Sequence, residues 1–261
     1  MKYKEVIYYE DELNDEFSKT KIIPRQINEN YKYIHKNILW NCLAYLIQNI
    51  LSVPIKVIYA KTKFKIKYIG KEKLKPYKKI GYFIYGNHTQ SFADTFIISN
   101  IVYPKRNYII VNPENVSMKF VGNFIQMFGA IPIPSNIKAM KNFISAIEKR
   151  IKKGYSITIF PEAHIWPYYT KIRPFKSVSF KYPVELDTPV FCVTNTYQSY
   201  GKNNNKIQIV SYIDGPFIAD KALPIKEQKE DLRNRVYKCM AERSKNSNIE
   251  YIKYVKKDNN I

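Results

Sequence analysis

The alternation of short apolar runs with amphipathic stretches between residues 81 and 243 most constrains how this chain can fold. A short continuous apolar run predicts a buried strand, and apolar residues at helical spacing predict a helix. The predicted strands are residues 81–85, 108–111, 131–133, 156–160, 190–194 and 207–213, and the predicted helices are residues 93–101, 117–128, 137–151 and 224–243. Strands that alternate with helices are typical of an α/β fold, so we expect a mostly parallel mixed sheet flanked by helices.

Upstream of this region the pattern changes. Residues 63–69 alternate Lys with Phe64, Ile66 and Tyr68, which predicts a strand with one face in water. We divide the chain into residues 1–60, an acidic segment followed by an amphipathic helical region, and residues 61–261, an α/β domain with a Lys- and Asn-rich end.

The charge of the chain is strongly positive. Its 261 residues carry 43 Lys and Arg against 22 Asp and Glu, a formal net charge of +21. This surplus suits a polyanionic partner, which can be nucleic acid, an anionic membrane surface or an acidic substrate. The excess of lysine over arginine equally fits the bias of an A/T-rich genome. The charge alone therefore leaves the partner open.

Cysteine usage and the start of the chain indicate the compartment. The three cysteines are widely spaced and form no C-x-x-C pair, which argues against a disulfide framework or structural zinc. The first residues contain no apolar stretch of signal-peptide length. We expect the protein to stay in the cytoplasm.

Residues 37–60 are the membrane candidate of the sequence. The polar residues of this segment fall on one narrow stripe of a helix, opposite a wide apolar face. The stripe consists of Asn41, Gln48, Ser52 and Lys56. Pro54 is expected to end or kink the helix. The pattern favours an interfacial helix lying in a bilayer; the alternative is a helix that packs on the main domain and turns its polar stripe to water.

Two segments carry candidate chemistry. In GNHTQSFADTF, His88 and Asp94 lie between a predicted strand and a predicted helix, where active-site loops of α/β folds gather. A neutral imidazole there can take a proton from an alcohol, and a carboxylate can fix its tautomer. In the second segment, Glu162 follows a predicted strand and can bind a hydroxyl, hold a cation, cap a helix or pair with a lysine. Arg173 and Lys176 can pair with phosphate.

Four blocks in this order and spacing resemble the lysophosphatidic acid (1-acylglycerol-3-phosphate) acyltransferase family. The blocks are N-H-T-Q-S-F-A-D, G-A-I-P-I-P, I-F-P-E and P-V-F-C-V. The resemblance extends from about residue 63 to 213, and the helical segment before it is similar to the membrane-associating helices of family members. The first and third blocks are the specific part, because the other two are short apolar patterns.

The resemblance implies a glycerolipid acyltransferase fold and a reaction without a covalent acyl-enzyme or a cofactor. His88 is expected to be the general base for attack of a lipid hydroxyl on an acyl thioester, either acyl-CoA or acyl-carrier protein, with Asp94 orienting it. Backbone N–H groups at the start of the following helix are expected to stabilise the oxyanion. Substrate contacts are expected from Asn87, Thr89, Phe160, Pro161, Glu162, Arg173 and Lys176.

The expected partners and cellular location follow from the same resemblance. The expected partners are a lysophospholipid acceptor, the acyl donor and anionic membrane lipids, and no nucleic acid is expected. The protein is expected at the cytoplasmic face of the cell membrane, bound peripherally or monotopically, in phospholipid biosynthesis.

The sequence departs from the family pattern at three places. Five residues instead of four separate His88 from Asp94, so the dyad requires that the extra residue be absorbed before the helix. Ser135 and Ile165 stand where family members keep phosphate-binding arginines. Lysines or Arg173 can substitute, or the acceptor carries no phosphomonoester, so the acceptor stays open. The candidate substitutes are Lys138, Lys171, Arg173 and Lys176.

Two other function classes remain open from the residues alone. A metal-dependent hydrolase could use two histidines and two carboxylates, namely His88, Asp94, Glu162 and His164. A non-enzymatic polyanion-binding protein could rest on the net charge, although the sequence contains few arginines and no nucleic-acid-binding motif.

Overall fold

A computed structural model describes residues 3–17, 22–118, 122–201 and 206–257. Its strands are β1 (Glu5–Tyr9), β2 (Lys67–Ile69), β3 (Tyr82–Gly86), β4 (Asn107–Val111), β5 (Ala130–Pro132), β6 (Ser156–Ile159), β7 (Val190–Tyr200), β8 (Lys206–Phe217) and β9 (Ile252–Lys256). Its α-helices are α1 (Ile38–Leu46), α2 (Ser52–Thr62), α3 (Ala93–Val102), α4 (Pro113–Ser117), α5 (Gly122–Met127), α6 (Ile137–Lys152), α7 (Lys181–Glu185) and α8 (Ile225–Ser244).

Seven strands form one sheet in the order β2-β8-β7-β3-β6-β4-β5. Every neighbouring pair is parallel except β7 and β8, which are antiparallel. The predicted α/β fold with a mostly parallel mixed sheet is therefore confirmed. β3 lies near the centre, between the parallel strands β6 and β7, so the loops that follow β3 and β6 meet beside β7 at one edge of the sheet.

The core lies on both faces of this sheet. Along β3, Phe83 and Tyr85 point to one face and pack in a cluster with residues of α6 and α8. Tyr82 and Ile84 point to the other face and pack in a cluster with residues of α3. This alternation follows from the period of two along a strand, and it explains why β3 is apolar throughout.

The segment predicted as amphipathic is one long helix, Ile38–Thr62, made of α1, a π-helical turn at Ile47–Leu51 and α2. Pro54 does not end it: the helix widens just before the proline, where the Ser52 N–H donates to the Ile47 carbonyl five residues back. A wider turn accommodates a residue that lacks an N–H and crowds the preceding turn.

Three of the four residues of the polar stripe face the protein, whereas Asn41 and the apolar face of the helix are exposed. Gln48, Ser52 and Lys56 are each at most 7% exposed. The Gln48 side chain donates to the Phe128 carbonyl and accepts from the Arg106 side chain, and the Lys56 ammonium donates to the Gln48 carbonyl. The alternative with the polar stripe in water is therefore wrong. The exposed apolar residues are Ile38, Leu39, Leu43, Tyr45, Leu46, Ile50, Leu51, Ile55 and Ile58.

Three local predictions differ from the structure. The strand predicted at 63–69 begins only at Lys67, because the long helix continues to Thr62 and Lys65 has a positive φ of 44°. In place of one helix at 117–128 there are α4 and α5; residues 119–121 lie outside the described residues. β1 pairs in parallel with β9, so the two ends of the chain form a small second sheet that the sequence pattern did not predict.

Gly154 ends α6 and closes the turn into β6. Its φ is +76°, and a Cβ there would lie 2.6 Å from the Lys79 carbonyl oxygen. Both the backbone conformation and the close approach require glycine.

We expect Gly154→Ala to lower the free energy of unfolding by about 1–3 kcal/mol, measured by urea denaturation. Lys153→Ala, at the exposed neighbouring position, is the control and should change it little. Equal stabilities of the two variants would contradict this account of the turn.

Candidate active site

The candidate site lies at the carboxyl end of β3. Residues 87–92 form the loop between β3 and α3, and Phe160 follows directly after the neighbouring β6. On the other side, Gly86 pairs with Val193 of β7, which brings Asn195 to the same edge. Two loops and the neighbouring strand β7 thus build one site.

His88 and Asp94 are in hydrogen-bond contact. His88 Nδ1 lies 3.0 Å from Asp94 Oδ2, which also accepts the Thr89 and Gln90 backbone N–H groups at 2.7 and 2.8 Å. The Asp94 side chain is fully buried, in the first turn of α3, where the positive end of the helix dipole favours a carboxylate. Because an ionised carboxylate only accepts hydrogen bonds, Nδ1 carries the proton and Nε2 presents a lone pair. This is the tautomer that a general base needs.

The extra residue between His88 and Asp94 is absorbed before the helix. α3 begins at Ala93, and the preceding turn folds back so that Thr89 and Gln90 donate to Asp94. The insertion therefore does not rotate Asp94 away from the imidazole. Thr89 and Gln90 lie before the helix, so the oxyanion contact expected from the N–H groups at its start stays a prediction.

Phe160 covers one face of the imidazole. The two rings are stacked, with centroids 4.3 Å apart and planes 14° from parallel. Gly86 makes room for this ring, since a Cβ there would lie 3.1 Å from Phe160 Cε1 and 3.3 Å from Ile98 Cδ1. The side chain of His88 keeps 15% of its surface exposed, so the imidazole is not fully enclosed.

Glu162 ties the loop after β6 to His88. Its Oε2 accepts the His88 backbone N–H at 3.0 Å, and its Oε1 accepts the Arg173 backbone N–H at 2.9 Å. Arg173 Nη2 lies 3.5 Å from Oε2, and both side chains are buried. Burial raises the pKa of Glu162, opposed by the charge of Arg173. The pair fixes the position of the His88 backbone.

Arg173 makes its contacts inside the protein. Its guanidinium donates to the carbonyls of Glu12 (3.2 Å) and His164, and it lies 4.9 Å from the Trp166 ring. Only 1% of the residue is exposed. A substrate contact by Arg173 stays a prediction, and its observed role is to hold the loop together.

The other predicted substrate residues divide into buried and accessible ones. Asn87 exchanges two hydrogen bonds with the backbone of Asn195, at 3.0 and 2.8 Å. The Thr89 hydroxyl accepts from Tyr197 at 2.8 Å, and both residues are completely buried. These contacts support the loop. Pro161 is half-buried and Lys176 is exposed.

Asn195 belongs to the site although the sequence analysis did not single it out. Its Nδ2 donates to Asp94 Oδ1 at 3.0 Å. The available signal was a run of polar residues, Thr194, Asn195 and Thr196, directly after the buried apolar run 190–193. A buried amide needs partners, which is a reason to place it at a polar site.

Ser135 and Ile165 occupy the two positions where family members keep phosphate-binding arginines. The Ser135 backbone N–H donates to the Ile27 carbonyl at 3.0 Å, and the Ile27 N–H donates to the Ser135 hydroxyl oxygen at 2.9 Å. This contact fastens the segment before the long helix, and Ile27 itself is fully buried. Ile165 is half-buried, while Lys138 and Lys171 are exposed.

The four residues of the metal hypothesis do not form a ligand set. His164 Nδ1 faces Glu16 at 3.6 Å, and both Glu162 oxygens are engaged by backbone N–H groups. Within the described ranges, a different group of residues has its potential metal-ligand atoms within 4.8 Å of one another, namely Cys192, Asp214 and Cys239. Burial alone would raise the pKa of Asp214, yet hydrogen bonds from Arg243 and Lys73 keep it below its ordinary value.

Comparisons with known proteins found one matching family model and several similar structures. A protein-family model described as Acyltransferase matches residues 65–195, about half of the chain. Eight chains of solved structures match, among them the 1-acyl-sn-glycerophosphate (LPA) acyltransferase PlsC from Thermotoga maritima, at 16% identity and a TM-score of 0.49, covering 79% of this chain and 95% of that one. No curated protein matches the sequence.

We expect Arg173→Met to cost about 3–5 kcal/mol of unfolding free energy near pH 7, because it leaves the Glu162 carboxylate buried without a compensating charge. When folding raises the pKa of a carboxyl, the folded protein loses stability as the pH rises above the pKa of that group in the unfolded chain, about 4.3 for Glu. The loss of unfolding free energy caused by Arg173→Met should therefore shrink toward pH 4. Urea denaturation across this pH range is the measurement. Lys176→Met, at an exposed site, is the control; a cost independent of pH would count against the buried pair.

Proposed function

Because this chain belongs to the acyltransferase family, we propose that it is a membrane-associated O-acyltransferase. It moves a fatty acyl group from an acyl thioester, acyl-CoA or acyl-carrier protein, to a hydroxyl of a lysophospholipid or related glycerolipid. The observation that carries the proposal is the contact of His88 Nδ1 with Asp94, which leaves Nε2 to act as the base on a side chain that is partly exposed.

In the proposed reaction, His88 Nε2 takes the proton of the acceptor hydroxyl as its oxygen attacks the thioester carbonyl carbon. Asp94 stabilises the imidazolium that forms, and the proton passes to the departing thiolate when the tetrahedral intermediate collapses. Only the proton is carried by the enzyme, so no acyl-enzyme is needed. Phe160 and Glu162 hold the imidazole ring and the His88 backbone, respectively, in place for this transfer.

The exposed apolar face of Ile38–Thr62 supports attachment to a membrane. The helix is long and apolar enough to cross a bilayer. Its middle, from Gln48 to Lys56, is instead bound along the protein by its polar side chains, which favours a helix lying in the interface. Exposed lysines flank it at Lys36, Lys61 and Lys63, and such residues contribute about 1 kcal/mol each near an anionic surface.

The acceptor is proposed more broadly than a phosphomonoester. The places of the expected arginines hold Ser135, which binds the chain segment at Ile27, and Ile165. Neither can pair with a phosphate charge, so headgroup selection rests on residues other than these two.

We expect His88→Ala to lower acyl transfer by about 10²–10⁴-fold, the usual contribution of a positioned base, in a protein that still folds cooperatively. The measurement is mass spectrometry of lipids after incubation with acyl-CoA and lyso-acceptors. His164→Ala is the matched control, because that imidazole lies outside the dyad and is needed only by the metal hypothesis. Near-wild-type transfer by His88→Ala would refute the base, and loss of activity with His164→Ala and with a chelator would favour the metal.

We expect the double variant Leu51→Glu, Ile55→Glu to bind vesicles with anionic lipid at least tenfold more weakly, because both side chains are more than half exposed on the apolar face. Vesicle co-sedimentation is the measurement. Ile225→Glu is the control: this residue is equally exposed, but α8 packs on the opposite sheet face from α3. Unchanged binding of the double variant would show that the helix is not the membrane contact.

A further inference from the structure

Asn195 is the one side chain besides His88 that contacts the Asp94 carboxylate among the described residues. Its Nδ2 lies 3.0 Å from Asp94 Oδ1, while Oδ2 faces His88 and the loop backbone. Asn195 is 3% exposed and Asp94 is fully buried. A direct contact of Asn195 with substrate is therefore not the reason for its place.

The orientation of the Asn195 amide is determined by its neighbours. Because the carboxylate accepts only, the NH₂ group must face Asp94 and the amide oxygen must face the other way. There Oδ1 accepts the Ser211 hydroxyl at 2.6 Å, from the adjacent antiparallel strand β8. The backbone of Asn195 is held as well, by the two hydrogen bonds with Asn87, the residue before His88.

The Asp94 charge has no basic partner other than His88 in the described parts of the chain. Its ion-pair contact is with that imidazole alone, and the remaining donors are the neutral N–H groups of Thr89, Gln90 and Asn195. A buried carboxylate that lacks a cation depends on each such donor. Without the one at Oδ1, the carboxylate is held through Oδ2 alone, and its rotation, and with it the position of Oδ2 against Nδ1, is less restrained.

We propose that Asn195, held by Ser211, is a positioning residue of the His88–Asp94 dyad. It fixes the rotation of the Asp94 carboxylate, so that Oδ2 points at His88 Nδ1 and Nε2 is presented to the acceptor hydroxyl. The role in catalysis rests on the proposed acyl transfer, whereas the coupling to His88 does not and is tested separately.

The first test needs no activity. In protein with ¹⁵N-labelled histidine, a His88 Nδ1–H bonded to a carboxylate gives a downfield proton resonance, assigned by its loss in His88→Ala. We expect Asn195→Leu to shift or broaden this resonance and Ser211→Ala to do so less. The matched control is Gln198→Leu, which removes an amide side chain from the same strand. The hydrogen-bond partners of that amide, Thr196 and Tyr212, lie away from the dyad, so the resonance should stay unchanged.

The second test is kinetic. We expect Asn195→Leu to lower kcat for acyl transfer on the order of tenfold with KM for both substrates within about twofold, because the group acts on the base and not on binding. Ser211→Ala should lower kcat less, and Gln198→Leu should match the wild type. Melting temperatures identify a variant that fails to fold, in which case Ser211→Ala decides.

The outcomes separate this inference from the proposed function. An unchanged His88 resonance with wild-type kcat in Asn195→Leu and Ser211→Ala overturns it. If the wild type transfers no acyl group, the proposed function fails, and the resonance alone decides whether Asn195 positions the dyad. A rise in KM without a fall in kcat also overturns it, since that would make Asn195 a binding residue.

Discussion

The buried carboxylate of Asp94 is the constraint on which the site depends. It lies without exposure at the start of α3 and must find donors for both oxygens. The donors come from two separate parts of the chain: the loop after β3, which includes His88, and β7 through Asn195. Satisfying one charge thus fixes the loop, the tautomer of the imidazole and the spacing of two neighbouring strands. Glu162 adds a second buried carboxylate that joins the loop after β6 to the backbone of the same histidine.

The long N-terminal helix has the reverse of the usual arrangement for a globular protein. Its polar residues are buried against β4 and α3 while its isoleucines and leucines are exposed. A large exposed apolar face marks a surface that meets a membrane or another protein. Because the contacts of this helix with the domain are polar and specific, any membrane that meets the apolar face also lies at a fixed orientation to the sheet and to the site at its edge.

The sequence predicted the fold and the dyad where a single local pattern determined them. The buried strands and α6 follow from periodicity, and His88 and Asp94 follow from a short motif in a known setting. What it missed depends on contacts between distant segments. The β1–β9 pair joins residues more than 240 positions apart, and Asn195 meets Asp94 across 101 positions. The charge of Arg173 makes it a candidate phosphate ligand, and that contact stays a prediction; what the sequence does not indicate is that the fold buries this charge beside Glu162. No local pattern distinguishes a buried arginine from an accessible one.

The central claim is that Nε2 of His88 activates a lipid hydroxyl against an acyl thioester. The most direct measurement incubates the purified protein and vesicles, carrying a panel of lyso-acceptors, with an isotopically labelled acyl thioester, and follows the label by mass spectrometry. The account predicts label esterified to a lysolipid hydroxyl, dependent on His88, with little free fatty acid. Label released as free fatty acid without acylated lipid, or no consumption of the thioester for any acceptor, would contradict it.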